Sequence, residues 1–336
     1  MSSTRRPLAV SLGDPAGVGP ELICAAWSER KRHGLPPFAV LGGAKVLQAA
    51  THTRGLDMDC VPVAELAEAE DVFDRALPVL GDANTKATFG APDSDGAALA
   101  LQSLEEATAL AVSGEASGIV TMPVAKGLLA EVGFAFPGQT EFLADRCGLA
   151  WDEAVMMLAG PRLRAVPITV HCALVDVPEH LTTERIVRKA RIVHRSLHCD
   201  FGISAPRLAV AGLNPHAGED GRMGREEIEI IAPAVAQLAR EGLDVRGPIA
   251  GDALFTPRAR QTYDAALAMY HDQALIPMKA LDFDEGVNVT CGLPIVRTSP
   301  DHGTAFDIAG QGMADPGATI AALKLAGECA ARRGAG

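Results

Sequence analysis

The chain has 336 residues, nearly half of them apolar but only 4% aromatic, so Val, Ala and Leu must carry the burial. That length suits two lobes better than one simple core. The formal charge of -12 excludes the basic excess that a nucleic-acid or anionic-membrane surface needs. An anionic substrate would then have to be met by a local cluster of cations. Seven cysteines occur, at 24, 60, 147, 172, 199, 291 and 329, with no CxxC pair among them. They read as reduced, mostly buried thiols of a cytoplasmic protein. No apolar run approaches the roughly 18 residues of a membrane span, and the run at 8–12 is shorter than a signal-peptide core of about 7–15 residues.

Short apolar runs at 8–12, 38–41, 118–122, 165–170, 207–213 and 265–270 are expected strands. Helical patterns lie between them. At 20–32, Pro20 takes the first helical position and Leu22, Ile23, Ala26 and Trp27 form a stripe. Further helices are expected at 96–112, at 183–198 (Ile186, Ala190, Val193, Leu197) and at 223–241, where Pro233 predicts a kink. Strands alternating with helices imply a mainly parallel α/β sheet. There is no repeat and no low-complexity linker, so a domain boundary would be a crossing within a compact body.

The first loop, GDPAGVGPE at 13–21, is glycine-rich and joins a strand to a helix, but it is not GxGxxG. A tight turn explains it as well as a ligand loop does. The stretch TMPVAK at 121–126 ends another strand. FPGQTEF at 136–142 then feeds a helix that Thr140 is placed to cap, where backbone N–H groups can meet an anion.

Three histidines share a position. His171, His216 and His271 each follow an expected strand, and in an open parallel sheet ligands bind beyond the carboxyl ends of strands. Three imidazoles there suit one divalent cation with a coordination position left open. A lone histidine after a strand is more often a hydrogen-bonded loop residue; three together shift the reading towards metal. His194 and His198 also have metal-like spacing, but Arg188, Arg191 and Arg195 surround them and a solvated helix face fits better. Asp252 and Asp272 are the carboxylates able to orient an imidazole or take a proton. The acidic run Asp282, Asp284 and Glu285 reads as a solvated loop.

The stretch 270–310 is the densest in polar groups. Lys279 and Arg297 flank Asn288 and suit phosphate or carboxylate, Arg297 from a partly buried position before a 298–300 turn. A surface salt bridge to the 282–285 run is the competing reading. His302, Gly303, Thr304 and Ala305 look like a loop opening into a helix.

GDPAGVGPE, FPGQTEF, LNPHAGEDG (213–221), YHDQALIP (270–277) and above all GVNVTCGLPIVRTSPDHGTAFDIAG (286–310) resemble the 4-hydroxythreonine-4-phosphate dehydrogenase family of pyridoxal phosphate synthesis over nearly the whole chain. DHGTAFDIAG is also similar to the adenine-side loop of isopropylmalate and isocitrate dehydrogenases. The resemblance implies a two-lobed α/β/α fold like that of isopropylmalate dehydrogenase. It implies a cofactor-side lobe of 1–130 with 290–336, and a substrate, metal and dimerisation lobe of 131–289. It puts the metal ligands on His171, His216 and His271, shared between the two subunits of a homodimer. Substrate contacts fall on Gln139, Thr140, Lys279, Asn288 and Arg297, and cofactor contacts on His302, Gly303, Thr304, Ala305 and Asp307. Gln139 departs from the family's usual histidine and cannot shuttle a proton.

The implied activity is metal-dependent, NAD- or NADP-linked oxidation of 4-phosphooxy-threonine to 2-amino-3-oxo-4-phosphooxybutanoate. That product decarboxylates to 3-amino-2-oxopropyl phosphate. The cation would be zinc, magnesium or cobalt, one per site, and Asp252 or Asp272 the orienter or base. A relative oxidising 4-phospho-threonate or phospho-erythronate remains open; Lys279, Asn288 and Arg297 together favour a phosphorylated substrate over an aromatic dihydrodiol. Two readings of other classes are a metal-dependent phosphatase or hydrolase, which would not need DHGTAFDIAG, and a binding protein without catalysis.

Overall fold

The computed structural model describes residues 6–334; residues 1–5 and 335–336 of the expected first lobe lie outside the described residues. Twelve strands occur among them: β1 (Leu8–Ser11), β2 (Phe38–Leu41), β3 (Cys60–Val63), β4 (Leu77–Leu80), β5 (Ile119–Thr121), β6 (Val155–Ala159), β7 (Arg164–Pro167), β8 (Arg207–Ala211), β9 (Asp244–Ile249), β10 (Ala265–Ala268), β11 (Val287–Cys291) and β12 (Arg297–Pro300). The chain forms two compact units, 1–151 with 293–336, and 152–292.

In the first unit the strand order is β3-β4-β2-β1-β5-β12, and every neighbouring pair is parallel. β1, β2 and β5 are wholly buried, as strands covered on both faces must be, and this is why they read as unbroken apolar runs. The helix Ser94–Ser113 starts where Asp93 accepts the Gly96 N–H at 2.7 Å and ends at Gly114 in the left-handed region. Its alanines at 97, 100, 107 and 111 are buried. From that helix, Ser103 Oγ accepts the Leu12 N–H (2.8 Å) and donates to Leu41 O (2.6 Å), tying β1 and β2 at their carboxyl ends. The segment 298–300, expected as a turn, belongs to β12: Arg297 and Thr298 pair with Ile119 and Val120 of β5.

In the second unit the order is β11-β6-β7-β10-β8-β9. β11–β6 and β6–β7 are antiparallel, and the pairs from β7 to β9 are parallel. The helix Thr183–Cys199 buries the expected stripe of Ile186, Ala190, Val193 and Leu197 and is capped by Thr182. The expected 223–241 helix is instead a π-type turn, Glu227–Ile231, running into the helix Ala232–Arg240. Pro233 follows directly on that π-type turn, in the first turn of the helix Ala232–Arg240. Asp282 corrects the reading of a solvated acidic run. It is 3% exposed and bound by Arg162, whose Nε lies 2.6 Å from Oδ1 and whose backbone N–H donates to Oδ2 at 3.0 Å. Asp284 and Glu285 are exposed.

All seven cysteines are free thiols: Cys24, Cys291 and Cys329 buried, Cys60, Cys147 and Cys172 half-buried, Cys199 exposed. No helix among the described residues is long and apolar enough to cross a membrane.

Candidate functional site

The three histidines follow three strands, β7, β10 and β8, that are neighbours and parallel. Beyond β7 and β10 the pairing runs on, with Ile168 N–H donating to Ala268 O (2.7 Å) and Thr169 Oγ to Met269 O (2.8 Å). This continued register delivers His171 and His271 to one end of the sheet, their ring centroids 6.2 Å apart. Gln273, which the sequence did not single out, fastens the next strand: its Oε1 accepts the Met269 N–H (2.6 Å) and its Nε2 donates to Gly212 O (2.8 Å) beyond β8. His171 and His216 are exposed and His271 is half-buried, so all three are open to a ligand.

Backbone geometry singles out two of the three. His171 has φ 51° and His216 φ 52°, in the left-handed region that costs a non-glycine residue roughly 1–2 kcal/mol. His216 begins five successive left-handed residues: His216, Ala217, Gly218, Glu219 and Asp220. Such strain persists only where the surroundings impose it, and it gathers at functional sites.

Asp272 touches an imidazole: its Oδ1 lies 2.7 Å from His271 Nδ1. An Nδ1–H donated there leaves the lone pair on Nε2, the arrangement that suits a metal-ligating histidine. Asp252 instead is exposed and accepts the neighbouring Ala253 N–H at 2.9 Å. Among the described residues no group of three or more His, Cys, Asp or Glu side chains is assembled to hold a metal ion. The donors nevertheless fit a divalent cation in kind: imidazoles at adjacent strand ends, one ring held by a carboxylate.

In the first unit Arg297 is 4% exposed, and burial lowers its guanidinium to about 10, with Glu141 opposing the fall, so it stays charged at neutral pH. Its Nη2 donates to Thr121 Oγ (2.8 Å) and to Gln139 Oε1 (2.9 Å). Gln139 Oε1 also accepts from Thr121 Oγ (2.6 Å), while its Nε2 donates to Met122 O (3.1 Å). Three residues far apart in sequence thus lock one another. The helix here is Gln139–Arg146 with extended Gly138 as its cap residue, so Thr140 lies inside the first turn and does not cap it.

In the second unit Lys279 is exposed on the helix His271–Asp282, its Nζ 5.5 Å from the centre of the Phe283 ring. Asn288, on β11, has a buried Oδ1 with no hydrogen-bond partner. His194 and His198 lie on the helix Thr183–Cys199, where burial, then His198, pushes the His194 imidazole down.

The segment 301–312 is not the expected helix start. Ala305 is left-handed at φ 44°, turns follow, and the next helix begins at Gly317. His302 Nδ1 lies 3.0 Å from Gly303 O, Thr304 O accepts the Val18 N–H (2.9 Å), and exposed Asp307 takes Gln311 Nε2 on its backbone carbonyl (2.8 Å). A Cβ on Gly17 would come within 2.8 Å of Thr304 O, so glycine there lets the 13–19 and 302–306 loops touch. Two carboxylates missed in the sequence support these loops. Glu21, fully buried, accepts the N–H groups of Gly310 and, at 3.1 Å, of Gly312. Asp14 accepts the Ala16 N–H (3.0 Å), and burial raises its carboxyl above the usual range. The only sequence hint of either was a charge inside an otherwise apolar turn.

The fold and these strand-end side chains are those of an α/β enzyme. The family described as pyridoxal phosphate biosynthetic protein PdxA matches residues 35–326, and the chain belongs to that family. It is therefore an oxidoreductase. A 4-hydroxythreonine-4-phosphate dehydrogenase of Erythrobacter litoralis is 62% identical over 99% of both chains, and one of Zymomonas mobilis is 53% identical over 98% of this chain and 97% of its own. Among solved structures, a 4-hydroxythreonine-4-phosphate dehydrogenase of Klebsiella pneumoniae is 37% identical with a TM-score of 0.86, covering 97% of this chain and 99% of its own. A terephthalate 1,2-cis-dihydrodiol dehydrogenase of Burkholderia xenovorans is less similar, 26% identical with a TM-score of 0.65 over 96% and 98% of the two chains.

Proposed function

We propose that this chain oxidises 4-phosphooxy-threonine to 2-amino-3-oxo-4-phosphooxybutanoate, with NAD or NADP as hydride acceptor, in pyridoxal phosphate synthesis. The observation that carries the reading is that His171, His216 and His271 each follow one of three adjacent parallel strands. The high identity to dehydrogenases of that name supports the substrate. His171, His216 and His271 would hold one divalent cation (zinc, magnesium or cobalt), which when bound supplies Lewis-acid polarisation of the substrate hydroxyl. Asp272 holds His271 in the tautomer that turns Nε2 outward. Asp252, exposed and bound to no imidazole, is the candidate proton acceptor.

Arg297, kept charged and fixed by Gln139 and Thr121, binds an anionic end of the substrate. Thr140 and Lys279 are further candidates for the anionic ends of the substrate, and Asn288 Oδ1, left without a partner, accepts from a substrate N–H or O–H. Gln139 orients the guanidinium and moves no proton. The cofactor lies against His302, Gly303, Thr304, Ala305 and Asp307, on a lobe of 1–130 with 290–336. The lobe 131–289 carries the metal and the dimer contact. The product is a β-keto acid, so it loses carbon dioxide to give 3-amino-2-oxopropyl phosphate. The enzyme works in the cytoplasm as a homodimer whose subunits share the metal ligands.

The test is to incubate the protein with zinc, magnesium or cobalt, NAD or NADP, and in turn 4-phosphooxy-threonine, 4-phospho-threonate and phospho-erythronate, following reduced nicotinamide by absorbance. Reduction greatest with 4-phosphooxy-threonine supports the reading. Reduction greatest with a threonate or erythronate shifts it to that relative, and phosphate release without reduction overturns it. His216→Ala should abolish turnover with the fold intact by circular dichroism; wild-type turnover in that variant would remove His216 from the metal.

A further inference from the structure

His216 is presented by an unusual piece of backbone, and one buried carboxylate sits beneath it. Glu227, 3% exposed, begins the π-type turn Glu227–Ile231. Its Oε1 accepts the Asn214 backbone N–H at 2.7 Å, and its Oε2 accepts Asn214 Nδ2 at 2.9 Å. Asn214 Nδ2 also reaches Glu226 Oε2 at 2.7 Å. A Cβ placed on Gly218 would lie 2.6 Å from Glu227 Oε2, and one on Gly212 would lie 3.1 Å from Oε1. The carboxylate thus touches the chain both before and after His216 and fills space that side chains at 212 and 218 would need. Asn214 O also closes the first turn by accepting the Ala217 N–H at 3.1 Å. Four of the five left-handed residues are not glycine, so most of the turn has to be held from outside.

We propose that Glu227, acting through Asn214, is the positioning residue for His216: its buried carboxylate holds the left-handed turn that presents the imidazole to a divalent cation. This rests on the metal reading above and adds a role that the ligands themselves do not perform. Glu227 touches no imidazole, so its effect is on cation affinity and not on the chemical step. A gap in the support of a metal ligand typically costs 10–100-fold in affinity.

The experiment titrates zinc, and separately cobalt, into the full-length, metal-stripped protein by calorimetry, for wild type, Glu227→Gln, Asn214→Ala and His216→Ala. Hydrogen exchange of the amides at 214–221 is followed in the metal-free proteins. In Glu227→Gln and Asn214→Ala the expected result is 10–100-fold weaker cation binding and faster exchange at 216–221. The cation concentration for half-maximal turnover should rise by the same factor, with the maximal rate recovered at saturating cation. A general structural defect would depress the maximal rate instead. Asn214→Ala keeps the buried carboxylate and so answers the question if Glu227→Gln folds poorly. Wild-type affinity and unchanged exchange in both variants would overturn this inference alone. Wild-type protein that takes up neither cation, with His216→Ala indistinguishable from it, would overturn the metal reading beneath it.

Discussion

Arg297 and Gln139 make a case for reading single residues through their partners. Gln139 Oε1 serves two donors and its Nε2 a third group, so truncation takes an acceptor from a buried guanidinium and from a buried hydroxyl at once. Gln139→Ala should therefore destabilise the protein by about 1–3 kcal/mol, the cost of a buried donor losing its acceptor, measured by denaturant unfolding. It should also raise the substrate KM, because the guanidinium loses its fixed direction. A variant as stable as wild type would mean that the network is not under load. Lys189 gives a pH test. Its Nζ donates to Pro167 O at 3.2 Å, and burial, then Arg185, lowers its ammonium to about 8. The unfolded chain holds that proton up to about pH 10.4, so between pH 8 and 10.4 the unfolded state binds more protons and this residue's contribution to stability rises with pH. At neutral pH both states are protonated and the folded state bears the full cost of the buried charge. Lys189→Met should thus gain most over wild type near pH 7, with the gain shrinking through pH 8–10 in thermal unfolding. A pH-independent difference would show that the ammonium is not desolvated.

At the scale of elements, the left-handed turn is the most sensitive. Gly218 has φ 77° and abuts the Glu227 carboxylate, so Gly218→Ala should cost roughly 1–3 kcal/mol by strain, with the steric clash added. Equal unfolding midpoints for the variant and wild type would contradict the close packing. What the sequence disclosed follows from similar reasoning. β1, β2 and β10 were legible because parallel strands buried on both faces are unbroken apolar runs. β3, interrupted by Pro62, and half-exposed β9 carry no such run and were not expected. The 302–305 segment looked like a helix start because composition does not report that Ala305 is left-handed. The histidines were legible because a parallel sheet sends its strand ends to one side. Their supports were not: Arg297 finds Gln139 across 158 residues and Gln273 finds Gly212 across 61, pairings that no local pattern encodes.

For the whole molecule, the exposed apolar side chains are unevenly spread. Leu174 (67%), Val175 (82%), Ile276 (66%) and Phe283 (69%) belong to the second unit, against Met313 (70%) in the first. Leu174 and Val175 follow His171 closely in sequence, and Ile276 lies on the helix that His271 opens. Where such groups lie side by side, they mark a surface that another molecule covers. With a formal charge of -12, two copies repel at long range, so self-association has to be driven by such apolar contact. The homodimer proposed above accounts for both facts, and it places the dimer contact close in sequence to His171 and His271. Val175→Glu combined with Ile276→Glu should therefore turn a dimer into a monomer in sedimentation or light scattering. If the subunits share the metal ligands as proposed, the same variant should lose zinc affinity although no imidazole has been altered. If the variant becomes monomeric yet binds zinc as tightly as wild type, the site is complete in one subunit and the sharing of ligands is refuted. If it remains dimeric, these residues face something other than a second copy, and the dimer contact must be sought elsewhere on the chain.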